Sequence, residues 1–583
     1  MVLQSFIQYK AFSQSADVQR LSTRSVKQPN GPSRAASTLV EQDVATGGKR
    51  TTDSAAVGAV AGKEQLEDSR SRGVGDTAAE EIDEERVAAK EKFGSDGKDE
   101  FLVDWDGSRD PLNPQNWSWF KKWSIVLLVS QIAIIVGVAA GIDSAAAQEA
   151  AARFQVSEEV MELQTAIFLV GFGVAAPFLG PLSEIGGRLP VYVITLGAFC
   201  LFEVGSALAP NIQTRVILRF FAGFFGSTPL SNAGGSLADI VGPTERTFVF
   251  PVFAAAGFLG PSLGPAIGGY LGYKVGQEWC DWLMAIWGGA AVILVALFMP
   301  ETFAPSLLRM KALQIRKATG DERYTTALER ARKDTPFIQH LRHAFAMPFK
   351  LLFLEPIVFF VALYMTVVYI VLFGAFEAYP LIFEPFDLNP GEIGLTFIAI
   401  AIGIGIAATP TPLVYKRYLR VQASLRQSSL ERATNKDEEA KSGTLKVPPE
   451  ERLILAMCLS WLVPVGLFWQ AWTAYASIGP WPCIVAGLVW GIGVLSIFIS
   501  SYQYVIDVYN VWSASALGSL TFLRYIISGG AIMWTRPLFM SIGTHWALSF
   551  YGFLSIVMTI IPFAFYVYGK RIRSWSRYAL SPV

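Results

Sequence analysis

Nine stretches of this chain run for at least 19 residues without Asp, Glu, Lys or Arg: Trp123 to Ile142, Leu163 to Ser183, Phe220 to Ala238, Thr247 to Tyr273, Trp282 to Pro300, Pro356 to Phe376, Ile393 to Tyr415, Leu453 to Ile506 and Pro537 to Gly569. A bilayer core roughly 30 Å thick is crossed by about 20 apolar residues of helix, and in lipid a helix satisfies its own backbone groups. The Leu453 to Ile506 stretch is too long for one crossing and breaks at Ser477-Ile-Gly-Pro-Trp-Pro482, a Gly/Pro turn, so it reads as two helices. Two further segments are apolar around one central charge, Leu189 to Thr214 around Glu203 and Val508 to Thr535 around Arg524. The expectation is an all-α integral membrane protein of twelve transmembrane helices. Composition agrees, with 52% hydrophobic and 16% charged residues, against the usual quarter or so of charged residues in a soluble domain.

Lys and Arg cluster in alternate loops, and such loops stay in the cytosol. They collect at Lys121 and Lys122, between Arg309 and Lys350, between Lys416 and Arg452, and from Lys570 to Arg577, while the opposite loops hold little beyond Arg153, Arg215, Lys274 and Arg536. Both termini are predicted cytosolic, and the sequon Asn116-Trp-Ser118 should carry no glycan. Residues 1–110 read as a disordered cytosolic tail, 111–306 as a six-helix bundle, 307–350 as a cytosolic connector, 351–569 as a second six-helix bundle and 570–583 as a cytosolic tail. Within the connector, Leu307 to Ala331 reads as an amphipathic helix at the membrane surface. Two halves of six suggest a transporter of two pseudo-symmetric bundles with substrate bound between them. A channel or a membrane enzyme shares the helix count, so motifs must decide.

The balance of 48 basic and 48 acidic residues argues against a nucleic-acid partner. Four widely spaced cysteines (Cys200, Cys280, Cys458, Cys483) give neither a metal site nor a disulfide framework. Only three histidines are present (His340, His343, His545), without a catalytic cluster or a nucleotide-binding Gly-rich loop with lysine. No enzyme activity, cofactor or metal is expected.

Three motifs carry the functional expectation. After the second helix, Gly180-Pro-Leu-Ser-Glu184-Ile-Gly-Gly187-Arg188-Leu-Pro190 is a tight turn with an acid and a base four residues apart, where the glycines permit close approach and the charges can latch. The fourth helix reads Arg215-Val-Ile-Leu-Arg219-Phe-Phe-Ala-Gly223. Arg219 lies roughly 9 Å inside its outer end at helical rise, where an arginine must be paired or face a wet cavity. The fifth helix carries Gly257-Phe-Leu-Gly260-Pro261-Ser-Leu-Gly264-Pro265-Ala-Ile-Gly268-Gly269. Its small residues make a smooth face for a neighbouring helix, and packing alone would account for them.

Together these strings resemble the major facilitator superfamily, and in particular the fungal twelve-helix drug:H⁺ antiporter family of multidrug, polyamine and toxin exporters. The resemblance extends from Asp110 to the C-terminus, through Asp110-Pro-Leu-Asn-Pro-Gln-Asn-Trp117, Ala209-Pro-Asn-Ile-Gln213, Gly234-Gly-Ser-Leu-Ala-Asp239, Pro300-Glu-Thr-Phe-Ala-Pro305, Phe376-Glu-Ala-Tyr-Pro380 and Thr521-Phe-Leu-Arg524. It implies the major facilitator fold and a cytosolic gate. In that gate Glu184 faces the start of the eleventh helix, Arg188 faces Asp239, and Asp507 takes the matching place in the second half. It also implies a proton-coupling role for Arg219, with structural pairing as the competing account, and an antiporter role for the fifth-helix string, which marks exporters rather than sugar symporters. The chain departs from the family at Leu189, where a second base is usual. It departs again at Gln277-Glu278-Trp279-Cys280-Asp281, where a Trp-Arg-Trp cluster is usual and where the change reads as an altered outer rim.

A group that carries H⁺ must respond to desolvation or to cargo charge. The candidates, in order, are Glu377, Arg219 and Glu203, with Arg524 expected to need Glu377 or Glu203 as its counter-charge. Candidate cavity residues are Gln131, Tyr364, Tyr369, Tyr502, Gln503 and Tyr504, although membrane aromatics often pack or face lipid instead. The expected function is proton-coupled efflux of small organic compounds by a monomer in the plasma membrane, with the vacuolar membrane as the other location. The competing readings are a nutrient facilitator or symporter of the same fold, and a non-transporting receptor or enzyme.

Overall fold

The computed structural model describes residues 8, 101–106, 110–332, 337–434, 447–509 and 512–579. The tail expectation falls almost wholly on residues outside these. Among the described residues every regular element is helical, apart from one isolated parallel bridge between Leu102 and Thr325.

Twelve crossings follow in order. The first half comprises Trp119–Gly141, Glu158–Gly186, Arg188–Ala207, the pair Ile212–Gly226 and Thr228–Ile240, Pro243–Val275 and Glu278–Phe298. The second comprises Pro356–Phe383, Pro390–Ala407, the pair Ile454–Leu459 and Leu462–Ala471, Trp481–Tyr509, Ser513–Ile542 and Thr544–Arg573. Eleven are long and apolar enough to span a membrane, the ninth when Pro449–Ala471 is taken through its break at Ser460 and Trp461; the fourth is completed by two helices that meet at Ser227.

Local chemistry sets the starts and stops. Ser118 and Asn211 cap crossings one and four by accepting backbone N–H groups, and Asn389 with Glu392 forms a full capping box at crossing eight. Crossings two and three are separated by Gly187 alone, at φ 94°, a backbone state that disfavours any side chain. Crossing eleven does not end before Arg536 as the charge pattern suggested. It continues through Arg536 and Pro537 to Ile542 and stops at Gly543, at φ 80°.

The connector likewise differs from one long amphipathic helix. Ala304–Thr319 ends at Gly320, at φ 72°, and a separate short helix, Ala327–Arg332, follows. Its Lys311 is buried and paired with Asp106, so this helix rests on the segment ahead of crossing one.

Across the two halves, the most extensive pairings are crossing two with eleven and crossing five with eight. Adding six to each number exchanges one pairing for the other, as a two-fold axis along the membrane normal between two parallel repeats requires. The fifth-helix glycines serve the seam with crossing eight and the packing of crossing five on crossing one. A methyl group on Gly264 would sit 2.8 Å from the Val138 carbonyl oxygen of crossing one, and one on Gly269 would sit 2.6 Å from the Pro390 oxygen of crossing eight. The Gly257 to Gly269 string, with Pro261 set against Gly137 and Pro265 against Gly394, therefore lies between crossing one and the second half.

Candidate functional site

One end of the molecule carries the connector between the halves, and here called the connector face, it holds two matched latches. Arg188, the first residue of crossing three, donates to Asp239 at 3.2 Å and lies 3.8 Å from Glu184. Arg452, just ahead of crossing nine, donates to Asp507 at 2.7 Å. Arg452 also reaches across the seam to the Pro243 carbonyl at 3.2 Å and to the Thr247 hydroxyl, both on crossing five. Glu301, beyond crossing six, accepts the backbone N–H groups of Arg188 (3.0 Å) and Leu189 (3.2 Å) at the N-terminus of crossing three, where the helix dipole favours an anion. Burial pushes its carboxyl above the usual range, and these N–H donors oppose that shift. Of the N-terminal tail, Gln8 pairs with both backbone polar groups of Glu301, at 2.9 and 3.1 Å.

A second group of charges lies sealed inside the first half, toward the opposite face. Arg219 contacts Asp143 at 2.6 Å, Glu203 at 3.4 Å and also Asp281. Arg215 contacts Asp281 at 2.8 Å and Asp143 at 3.5 Å, and donates to Gln164. All five charged groups are buried. Three carboxylates thus face two guanidinium groups, and one oxygen of Glu203 has no hydrogen-bond donor among the described residues. Removing one partner from such a cluster typically costs about 3–5 kcal/mol, because a buried charge is left uncompensated. Glu203 lies close to the far end of crossing three rather than at mid-membrane. Asp281 belongs to this buried cluster and not to the rim; Glu278 alone of that string pairs outward, with Arg153.

At the opposite face a third latch spans the halves. Arg536 of crossing eleven pairs with Glu158 at 2.7 Å and approaches Glu162 at 3.8 Å, both on crossing two. Glu377, buried on crossing seven, faces Thr165 and stands near Glu162, Asp143 and Arg536.

Arg524 occupies a different setting from the one its charge suggested. Glu203 is engaged with Arg219 and Glu377 lies among the groups just named, so neither pairs with Arg524. Its guanidinium is fully buried among the rings of Tyr369 (4.5 Å to the centroid), Tyr525 (4.9 Å), Tyr502 (5.2 Å) and Phe498 (5.3 Å). None of its three nitrogens makes a hydrogen bond of good geometry to the described residues. Cation–π contact is worth about 2 kcal/mol or more when desolvated, whereas the effective desolvation penalty of an ion is several kcal/mol.

The remaining cavity candidates divide. Tyr369 and Tyr502 belong to the ring box. The Gln503 side-chain oxygen accepts from Arg452 at 3.2 Å in the connector-face latch. Tyr504 packs on Phe565 of crossing twelve, and Gln131 lines a lateral groove between crossings one and six. Tyr364 is buried with its hydroxyl unbonded among the described residues.

Asp143, Gln164, Asp281, Glu301, Arg452 and Arg536 were not singled out from the sequence as working residues. Asp143, Asp281, Arg452 and Arg536 abut charge-free runs, and that adjacency was the available signal.

A membrane-embedded helical protein with two matched halves, seams between them and latches at both ends has the make-up of an alternating-access transporter. The sequence profile described as the Major Facilitator Superfamily matches residues 127–533. The MFS-type transporter kojT of Aspergillus flavus is 40% identical over 476 residues, which cover 81% of this chain and 82% of that protein. The uncharacterized transporter mfs2 of Schizosaccharomyces pombe is 39% identical over 485 residues, 83% of this chain and 85% of that protein. The major facilitator superfamily multidrug transporter mdrA of Aspergillus fumigatus is 37% identical over 483 residues, 83% of this chain and 76% of that protein. Among solved structures, the proton:xylose symporter XylE bound to 6-bromo-6-deoxy-D-glucose superposes with a TM-score of 0.53 at 15% identity, over 77% of this chain and 97% of that one, which speaks to the fold. The chain belongs to the major facilitator superfamily.

Proposed function

We propose that this transporter exports small organic compounds in exchange for protons, by rocking of residues 111–306 against 351–569. The carrying observation is the sealed cluster of three carboxylates and two guanidinium groups around Arg219. A fully ionised cluster keeps one negative charge in excess within hydrocarbon, and a bound proton removes it. Glu203, with one free oxygen, is the member best placed to take that proton. Glu377 then lies between this cluster and the opposite-face latch, where a proton could pass as that latch opens.

The fifth-helix string supports export over uptake, and the multidrug name of the Aspergillus fumigatus relative is consistent with it. The bias of basic residues supports a cytosolic connector face with both termini inside, and the resemblance to fungal exporters favours the plasma membrane. Reconstituted full-length protein tests the proposal: uptake into inside-out vesicles of a panel of organic compounds should rise with an acidic lumen and fall with an uncoupler. Flux indifferent to the imposed gradient would refute it.

A further inference from the structure

We infer that Arg524 and its ring box form an anion-recognising subsite, and that the cargo it selects is a planar organic anion, an aromatic carboxylate in the simplest case. This deepens the exporter reading and rests on it for the direction of transport.

Arg188, Arg215, Arg219 and Arg452, the other buried guanidinium groups described above, each contact at least one carboxylate. Arg524 does not; what faces it are the phenol groups of Tyr369, Tyr502 and Tyr525 on crossings seven, ten and eleven, together with Phe498. Yet Arg524 is fully buried. The guanidinium fork matches a carboxylate by two parallel N–H···O bonds, and a flat ring attached to that carboxylate can stack on the flanking rings. A cationic compound meets a like charge there, and a neutral one leaves the guanidinium uncompensated.

The box also sits where cargo must pass. Crossing eleven forms a seam with crossing two, and the Tyr525 ring lies 4.4 Å from that of Phe172 on crossing two. From the other side, Phe258 of crossing five packs on Tyr369 at 5.7 Å. Both halves therefore supply walls, and the walls part when either latch opens. Sealing an anion inside this box satisfies Arg524 at the step when the halves close. Export of a monoanion against entry of a proton moves charge inward on both counts, so an inside-negative potential drives it.

The test uses the purified full chain and four probes: benzoate and cinnamate, with benzyl alcohol and benzylamine as neutral and cationic counterparts. The acids should raise the unfolding temperature saturably, at concentrations at least tenfold below those the counterparts need. Arg524→Gln should abolish the response, and Arg524→Lys should keep the preference for anions while weakening it about tenfold or more. If Arg524→Gln is not recovered as a monodisperse protein, Arg524→Lys and the four-probe comparison decide. No response to either acid, an equal response to the counterparts, or an undiminished response in both variants overturns the inference. Anion-selective binding with gradient-indifferent flux would sink proton exchange alone, whereas gradient-driven flux without anion preference would sink this subsite alone.

Discussion

Arg452 donates to Asp507 at 2.7 Å just as Arg188 donates to Asp239 at 3.2 Å, and the two pairs occupy equivalent positions, at the start of crossings nine and three and the end of crossings ten and four. They are not equivalent in reach. Arg452 extends to the backbone of Pro243 in the other half, whereas the contacts of Arg188 stay within its own half. The connector-face closure is thus asymmetric: the Asp507 latch joins the halves, with Arg452 reaching Pro243 and Arg246 of crossing five standing 4.0 Å from Asp507, while the Asp239 latch does not.

Asp507→Asn should loosen that closure. A hydrogen bond to a charged group contributes about 1.5–3 kcal/mol, enough to move an open–closed equilibrium about tenfold or more. A cysteine placed at buried Phe250, on crossing five inside the latch, reports the opening in a background where exposed Cys458 is replaced. Its rate of reaction with a water-soluble maleimide should rise about tenfold; an unchanged rate would show that the pair does not hold the face shut.

Arg219→Leu leaves three buried carboxylates facing Arg215 alone, and should destabilise the protein by about 3–5 kcal/mol. Glu203→Gln removes the excess charge and keeps a polar partner for Arg219, so its unfolding temperature should stay close to that of the unaltered protein. Because the two residues share a network, the double variant should be more stable than the sum of the single effects implies. Strict additivity in thermal unfolding would argue that Glu203 and Arg219 do not interact.

Glu377→Gln should abolish gradient-driven export while the protein still reaches the membrane in normal amount. Export assays with an imposed acid gradient, alongside surface quantification, separate loss of coupling from loss of protein. Retention of full gradient-driven export removes Glu377 from the proton route.

Gly268→Ala places a methyl group against the backbone carbonyl of Ile142 on crossing one, which cannot yield as a side chain can. Overpacking of this kind costs about 1–3 kcal/mol. Gly289→Ala, where nothing lies within 4 Å of the added carbon, is the matched control, and it should leave stability unchanged or slightly raised, since alanine favours helix. Equal melting of the two variants would remove the close-approach account of the fifth-helix string.

The twelve crossings were legible because charge-free length is a direct consequence of bilayer thickness, and the Ser477 to Pro482 break was legible because glycine and proline punctuate helices there. What escaped was the pairing of charges at the ends of those runs. Asp143, Asp281, Arg215 and Arg536 each border an apolar stretch, so a rule that cuts helices at charges assigns them to loops; only three-dimensional proximity reveals that Asp143 and Asp281 neutralise Arg215 inside the first half and that Arg536 meets Glu158 across the seam. Arg524 illustrates the opposite failure. A counter-charge from Glu377 or Glu203 was expected for it, but a one-dimensional pattern cannot show that aromatic faces on crossings seven and ten, rather than an acid, surround it.

On the proposed rocking of the halves, the pairings of crossing two with eleven and of five with eight act as two shutters on a single fulcrum. A small compound lodged at either rim of a seam jams both shutters at once. Blockers of such a machine therefore need no likeness to its cargo, only a hold on the latch at Arg452 or at Arg536.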